Sequence, residues 1–286
     1  MASFEFDPDK DIVNLIYEQG EKAQGDSRRP HLGCSAVGRD CSREIWYNFR
    51  WAGEVRWSGR MLRLFDRGQR EEAVLVDALK SIGCEVWEED PRTGKQFKVK
   101  FESGHIKGSA DGVCRGVPGD PNTPHLLEFK THNNKSFKHM KSKSFKHMKS
   151  KGVAESKPQH LVQMMLYMKG LNLTKALYVA VNKNDDEIYI EVIDYNAVQA
   201  DEYLEKAKDI VSSDVEPAKI SQRPDWYQCT FCSFKGQCHF GLPLSMNCRT
   251  CVNVEVHDEG EWVCGLDGVK LPDSKQKKGC ERWKSI

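Results

Sequence analysis

The chain has 286 residues, of which 39% are hydrophobic and 30% are charged, and it contains 12 Phe, 8 Tyr and 7 Trp. This aromatic content excludes a disordered chain and predicts a packed core. No apolar run approaches the roughly 20 residues that a membrane-spanning helix needs. Residues 1–25 are acidic and mixed, without the apolar centre of a signal peptide. We therefore expect a soluble, cytoplasmic protein.

The distribution of charge is more informative than its sum, since 43 Lys and Arg oppose 42 Asp and Glu. Residues 130–151 contain eight Lys and no acidic residue, and they include the repeat KSFKHMKS at 135–142 and again at 143–150. Phe137 and Phe145 are interspersed with these lysines. Sequence-tolerant nucleic-acid binding combines cations that pair with phosphates and aromatic rings that stack on bases. We therefore expect an exposed loop that faces DNA.

Hydrophobic periodicity predicts helices mixed with strands. Helical spacing of apolar residues predicts helices at 42–57, 68–82, 156–171 and 197–212. Short apolar runs predict strands at 84–87, 97–101, 106–114, 126–131, 176–182 and 187–193. Such a mixture predicts an α/β or α+β domain with a central mixed sheet. From about residue 225 the composition changes to Cys, Gly and short polar runs. This change predicts a C-terminal tail that is stabilised by bound metal and has no large core of its own.

The pattern that carries chemistry is Asp111 followed by Glu128-x-Lys130. Side chains alternate along a strand, so Glu128 and Lys130 lie on the same face. If Asp111 ends a neighbouring strand, two carboxylates and an ammonium converge. Two hard oxygen ligands suit Mg²⁺ or Mn²⁺, which would activate a water for attack on a phosphate. Lys130 would position that water or offset charge on the phosphoryl oxygens. The alternative is a surface salt bridge on an exposed strand.

The segments GSADG, which contains Asp111, and LLEFK, which contains Glu128 and Lys130, resemble the PD-(D/E)XK nuclease superfamily and specifically its RecB-like and phage exonuclease branches. The resemblance covers most of residues 30–240. It implies a restriction-endonuclease-like α/β core, in which a central mixed sheet is flanked by helices. One departure is Ala110, which stands where the family motif has proline.

The resemblance also implies roles for residues on two helices. The segment RGQREE resembles the family's early-helix motif and implies that Glu72 is a metal ligand, with Glu71 as the alternative. Gln163 and Tyr167 match the family's Gln-x-x-x-Tyr element, whose i, i+4 spacing puts both side chains on one helix face. The resemblance implies that Gln163 orients a phosphate or a catalytic group and that Tyr167 supports it. RecB-type relatives often use an early histidine ligand; His105 precedes Asp111 but is read as a polar strand residue.

Clustered cysteines in a reducing compartment predict metal binding rather than disulfides. Cys229, Cys232 and Cys238 have C-x2-C-x5-C spacing and lack a fourth nearby ligand. The RecB-like iron–sulfur nucleases resemble this arrangement and take their fourth cysteine from far upstream, before an aromatic helix. The resemblance implies that Cys41 completes a structural [4Fe–4S] cluster, with Cys34 as its rival. A structural zinc in place of the cluster is the alternative.

A second set of cysteines follows in the tail: Cys248, Cys251, Cys264 and Cys280. A C-x2-C pair with two later cysteines suits a tetrahedral Zn²⁺ site in a small ribbon. Trp262 and Trp283 would supply its core. Exchange of partners between the two sets stays open. The remaining cysteines are expected to be buried thiols: Cys34, Cys84 and Cys114.

These features together predict a metal-dependent DNA nuclease, an exonuclease with bacteriophage or bacterial relatives, that uses Mg²⁺ or Mn²⁺. The predicted organisation is an N-terminal extension (1–30), a nuclease core closed by the cysteine clasp (31–240) and a zinc-ribbon-like module (241–286). Its expected partners are DNA and recombination or replication proteins, in the host cytoplasm if the chain is phage-encoded. The rival from another class is a non-catalytic DNA-binding or scaffold protein. A redox protein is a third alternative.

Overall fold

The structure is a computed structural model, and it describes residues 7–101, 103–142 and 151–286; the second KSFKHMKS copy, at 143–150, lies outside the described residues. The helices are α1 Pro8–Ala23, α2 Cys34–Val37, α3 Ser42–Phe49, α4 Gly59–Ser81, α5 Asn134–Lys141, α6 Gly152–Ser156, α7 Pro158–Leu171, α8 Ala197–Ser212, α9 Tyr227–Thr230, α10 Lys235–Phe240 and α11 Asp273–Gln276. The strands are β1 Leu32–Gly33, β2 Glu85–Trp87, β3 Glu89–Asp90, β4 Lys95–Gln96, β5 Lys98–Lys100, β6 Ile106–Ser109, β7 Gly112–Arg115, β8 His125–His132, β9 Lys175–Asn182, β10 Ile188–Asp194, β11 Val254–His257, β12 Glu261–Cys264 and β13 Val269–Lys270. Within the described ranges, no helix is both long and apolar enough to cross a membrane.

The central sheet has five strands in the order β10-β9-β8-β7-β2. Strands β8 and β9 are parallel, whereas the other neighbours are antiparallel. Helix α7 lies in the chain between β8 and β9, as the crossover of a parallel pair requires. This arrangement confirms the predicted mixed α/β fold with helices on both sides of the sheet.

Two apolar layers follow from the alternation of side chains along β8. Leu127 and Phe129 pack with Leu75 and Leu79 of α4 on one side of the sheet. Leu126, on the opposite face, joins the larger core that includes most of α7. Each apolar side chain of this size contributes about 1.5–3 kcal/mol when it is fully buried. The polar residues of β8 are therefore held between two packed layers.

The predicted helix at 42–57 is wrong in its length, because α3 ends at Phe49. Trp51 has φ = 55°, a left-handed conformation that a helix cannot include. Its indole N–H donates to the Arg29 carbonyl oxygen at 2.8 Å, so a tertiary contact fixes this turn. Ser58 then caps α4, which starts at Gly59 and not at residue 68. The predicted strand at 106–114 is likewise two strands, β6 and β7, in different sheets.

The lysine-rich segment is not an extended exposed loop in its described part. Residues 134–141 form α5, whose Asn133 cap accepts a hydrogen bond from the Ser136 N–H. Phe137 is completely buried and meets the ring of Tyr189 edge-on. The expectation that Phe137 stacks on bases is therefore wrong, because packing against the sheet takes up the ring. The expectation for Phe145 falls outside the described residues.

The tail shares the main core instead of having its own. Its strands β11, β12 and β13 form a small antiparallel sheet. Trp262 of β12 is 1% exposed, and its ring centroid lies 5.1 Å from that of Phe49. Trp283 has a smaller role, with its indole N–H donating to Thr250 Oγ1 at 3.2 Å. The boundary at residue 241 stays a prediction.

Candidate active site

Glu128 is the buried centre of the candidate site. Its side chain is fully inaccessible and lies on the α7 side of β8. One carboxylate oxygen accepts a hydrogen bond from the Lys130 ammonium, two residues along the same strand face. The other accepts from Gln163 Nε2 on α7 at 3.1 Å. Lys130 also donates to the Phe129 carbonyl oxygen at 3.0 Å, and its side chain is 26% exposed. The ammonium is thus anchored by two acceptors, and the Lys130 side chain keeps part of its surface exposed.

Asp111 reaches the same site from the break between β6 and β7. Its Oδ2 accepts the Phe129 backbone N–H at 2.8 Å. Because Phe129 lies between Glu128 and Lys130, this bond fixes Asp111 beside both. The convergence predicted for Asp111, Glu128 and Lys130 is therefore what the structure shows.

The electrostatics of Glu128 reflect an excess of negative charge. The pKa of Glu128 is raised to about 7, because burial and the carboxylates of Asp111 and Glu72 together outweigh the opposing effect of Lys130. Burial lowers the pKa of Lys130, but the carboxylates of Glu128, Asp111 and Glu72 outweigh this effect, so its pKa is raised. The described site thus contains three carboxylates and one ammonium, so its negative groups outnumber its positive one.

Glu72, on α4, is the early-helix carboxylate that acts on this site. Burial raises its pKa, the Asp111 carboxylate raises it further, and Lys130 opposes both. The Glu72 carboxylate in turn raises the pKa values of Glu128 and Lys130. Of the two alternatives, Glu71 and Glu72, the structure brings Glu72 to the other predicted residues.

Gln163 and Tyr167 stand behind Glu128 on the same face of α7. Both side chains are almost completely buried, and a hydrogen bond joins them. Burial raises the pKa of Tyr167, and the nearby Glu128 carboxylate contributes. Tyr167 packs directly on Gly108 of β6, where any Cβ would collide with its ring. A glycine is therefore needed at residue 108 for the tyrosine to reach the site.

A chain of polar groups extends from Lys130 toward the end of the sheet, and sequence reasoning missed it. The Tyr178 hydroxyl lies 2.8 Å from His132 Nε2 and 2.9 Å from His160 Nδ1. The two histidine rings are stacked, with centroids 5.7 Å apart. Burial, with nearby lysines, lowers the pKa of His132 to about 4 and that of His160 to about 3. One sequence signal was available: His160 precedes Gln163 by three residues, which places both on one helix face.

The acidic residues suit a divalent cation by their donor chemistry. Asp111, Glu128 and Glu72 offer the hard carboxylate oxygens that Mg²⁺ and Mn²⁺ prefer. Hydrogen bonds hold the side chains of Asp111 and Glu128, and the Glu72 carboxylate acts on both from α4. Across the described ranges, no group of three or more His, Cys, Asp or Glu side chains stands in a geometry that could hold a metal ion.

The first cysteine set lines one small cavity. Cys41, at the start of α3, shares this cavity with Cys229, Cys232 and Cys238. Burial raises the pKa of the Cys229 thiol, and Cys238 and Cys41 raise it further. The structure therefore brings together the upstream cysteine and the triplet.

Cys34 lies elsewhere, in the core beside Tyr167. The structure therefore does not support Cys34 as the alternative to Cys41 in the first cysteine set. Cys84 and Cys114 are buried as expected. His105 is fully buried, with Nε2 2.8 Å from the His257 carbonyl oxygen and its ring against Trp262, so it links the core to the tail.

The second cysteine set gathers at one end of the small tail sheet. Burial raises the pKa of Cys248, and Cys280, Cys251 and Cys264 each raise it further. Cys264 ends β12, and Cys251 bridges to Ser285 near the C-terminus. The four cysteines are thus neighbours.

Several known proteins resemble this chain. A solved structure of a protein designated SSO0001 is 16% identical, with a TM-score of 0.45, and the match covers 79% of this chain and 96% of that one. An alkaline exonuclease (LHK-Exo) from Laribacter hongkongensis is 16% identical, with a TM-score of 0.44, over 68% of this chain and 90% of that one. Its complex with dAMP is 15% identical, with a TM-score of 0.43 and the same shares covered. No curated protein sequence matches.

The family comparison is decisive. The family model of the PD-(D/E)XK nuclease superfamily matches residues 35–239, which include Glu72, Asp111, Glu128 and Lys130. The match covers well over half of the chain. This protein therefore belongs to the PD-(D/E)XK nuclease superfamily.

Proposed function

We propose that this protein is a metal-dependent DNA nuclease, and specifically an exonuclease. The observation that carries the proposal is the meeting of Asp111, Glu128 and Lys130 at the middle of the sheet, in a chain of this superfamily. The exonuclease assignment rests on the resemblance of the sequence motifs to the RecB-like and phage exonuclease branches.

Asp111, Glu128 and Glu72 would hold Mg²⁺ or Mn²⁺. Their fit rests on the donor set and on the charge excess of three carboxylates over one ammonium, which a divalent cation would neutralise. Such an ion, when bound, polarises the phosphate and lowers the pKa of an attacking water.

The protein's own groups would orient the reaction. Gln163 holds one oxygen of Glu128, and the Lys130 ammonium holds the other, so the carboxylate has one fixed orientation. The Lys130 ammonium would offer its charge where negative charge develops on the phosphoryl oxygens. Tyr167 keeps Gln163 in place through their hydrogen bond.

Adjacent glutamates of α4 provide a matched test of the site. We expect wild-type protein to degrade end-labelled linear DNA with Mg²⁺ or Mn²⁺, and Glu72→Gln to cut it about a hundredfold more slowly, because Glu72 acts on Asp111 and Lys130. Glu71→Gln makes the same change one residue earlier and should keep the wild-type rate. Single-turnover rates measure both.

The reverse ranking, with Glu71→Gln inactive and Glu72→Gln active, would assign the ligand to Glu71. Binding of DNA by wild type without any cleavage would instead favour the non-catalytic DNA-binding protein.

We also propose that the two cysteine sets hold different metals. Cys41 and the triplet would hold a structural [4Fe–4S] cluster, and the tail set would hold Zn²⁺. Four thiols around one cavity support the first site, and the mutual proximity of the tail cysteines supports the second. A cluster bound to Cys41 would join α3 to α9 and α10, so that its occupancy would stabilise the fold.

Metal analysis of protein purified without oxygen tests this partition. We expect about four iron atoms and one zinc per chain. Cys41→Ser should lose iron and keep zinc, whereas Cys280→Ser should lose zinc and keep iron. Cys34→Ala is the control and should retain both metals, because Cys34 lies in the core. About two zinc atoms and no iron would contradict the iron–sulfur assignment.

A further inference from the structure

Lys157 is a half-buried ammonium at the start of α7, next to the candidate active site. Its one hydrogen bond among the described residues goes to Ser136 Oγ, at 2.6 Å. No described carboxylate lies within ion-pair distance of it, and burial alone lowers its pKa. A partly desolvated ammonium without a counterion is unfavourable, and an anion from outside would relieve it.

The neighbours of Lys157 form an ordered chain of donors and acceptors. An ammonium can only donate, so Ser136 accepts from Lys157 and its own hydroxyl proton is available to His132 Nδ1, 3.3 Å away. In the tautomer in which Ser136 donates to His132 Nδ1, His132 Nε2 donates to the Tyr178 hydroxyl and Tyr178 donates to His160 Nδ1. This assignment leaves the proton of His160 on Nε2, which has no partner among the described residues. The chain therefore ends in a second donor.

The cations around these rings come from more than one element. The pKa of His132 is lowered by burial and by the charges of Lys157, Lys130 and Lys183. The pKa of His160 is lowered by burial and by the charges of Lys130 and Lys157. Both rings are therefore neutral and lie in a positive environment, which suits an anion.

The position of this group follows from strand geometry. Glu128, Lys130 and His132 alternate on one face of β8, so His132 lies about 7 Å beyond Lys130. That distance is of the order of one nucleotide step along a DNA strand. Strands β8 and β9 are parallel and end at His132 and Asn182, and ligands of α/β sheets bind beyond such carboxyl ends.

We propose that Lys157 and His160, held in place by Ser136, His132 and Tyr178, bind the backbone phosphate next to the scissile one. The ammonium supplies the charge, the His160 Nε2–H supplies a hydrogen bond, and Ser136 and Tyr178 fix the orientation of both. The inference rests on the proposed nuclease function. It defines the substrate as a strand that continues past the cut, in the direction from Lys130 to His132.

Lys157→Gln tests the subsite in the full-length, metal-loaded protein. Oligonucleotide affinity is measured by fluorescence anisotropy in Ca²⁺ at several NaCl concentrations. The slope of log affinity against log salt should fall by roughly one unit, because one phosphate contact is lost. In cleavage assays KM should rise several-fold with kcat nearly unchanged, since the lost contact is the same in the ground and transition states. Lys157→Arg should restore the slope.

Lys169→Gln is the matched control on the same helix. Lys169 pairs with Asp201 at the far end of α7, so the variant loses the same charge and should keep the wild-type slope. An equal fall in slope for both variants, or none for Lys157→Gln, would overturn the subsite.

A neutral methylphosphonate, placed one linkage at a time beside the cut, gives the second measurement. At one linkage, the methylphosphonate should lower the oligonucleotide affinity of the wild-type protein and leave the affinity of Lys157→Gln unchanged. If the two proteins lose the same affinity at every linkage, the proposal is wrong. A wild-type protein that cleaves no DNA would refute the proposed function itself, which separates the two failures.

Discussion

Asp111→Asn should abolish most DNA cleavage while leaving DNA binding and the fold intact. The asparagine Oδ1 can still accept the Phe129 N–H, so the bond that fixes residue 111 beside Glu128 survives. The substitution removes one negative charge from a site in which three carboxylates act on Lys130. Loss of one preorganised electrostatic group typically lowers kcat by a hundredfold to a thousandfold, and we expect a loss of about this size or larger. The measurement is single-turnover cleavage of end-labelled DNA with saturating Mg²⁺ or Mn²⁺.

The matched control is Asp120→Asn, the same change in the loop before β8. Asp120 accepts from Lys175 and Thr123, both at 2.6 Å, at the start of the parallel strand pair and away from Glu128. We expect this variant to cleave at the wild-type rate. An Asp111→Asn protein that cleaves as fast as wild type would remove Asp111 from the catalytic group and with it the proposed metal site.

The parts of the site that could be predicted from sequence are those set by local geometry. The alternation of side chains placed Glu128 and Lys130 together, and helical spacing placed Gln163 and Tyr167 on one face. The polar chain around Tyr178 could not be predicted in this way. Tyr178 lies in an apolar strand with no local signal of a polar role. Its contact with His132 depends on the parallel register of β8 and β9, in which Glu128 pairs with Tyr178.

The fold errors have a similar origin. The helix expected at 42–57 has good local periodicity, but Trp51 turns out of it to meet Arg29 and Arg249. Phe137 lies in a lysine-rich segment and was expected on the surface, yet it packs on the sheet. Arg50 and Arg249 show the same effect, because arginine is normally a surface residue and both are buried. In each instance a long-range contact overrides the local pattern.

Arg249 joins the tail to the core, and its loss should be strongly destabilising. The guanidinium donates to the carbonyl oxygens of Phe49 and Pro30, at 2.9 and 3.0 Å, and to Gln276 Oε1 at 2.8 Å. Its carbon lies 3.6 Å from the centroid of Trp51 and 4.5 Å from that of Trp262. Burial lowers the pKa of Arg249 to about 9, so oxygen acceptors and indole faces take the place of water around the charge.

Arg249→Met should therefore leave three buried acceptors without a donor, at a cost of about 3 kcal/mol or more in the free energy of unfolding. For a chain of this size that corresponds to a fall in Tm of roughly 6 to 12 °C, measured by scanning calorimetry. Arg249→Lys keeps the charge but lacks the planar fork, so an intermediate Tm is expected. The control is Arg282→Met in the same tail, where the exposed arginine pairs with Asp267 and only a small change is expected. Equal Tm values for the Arg249 and Arg282 variants would mean that the buried guanidinium is dispensable, and that apolar packing of Trp262 against Phe49 alone holds the tail.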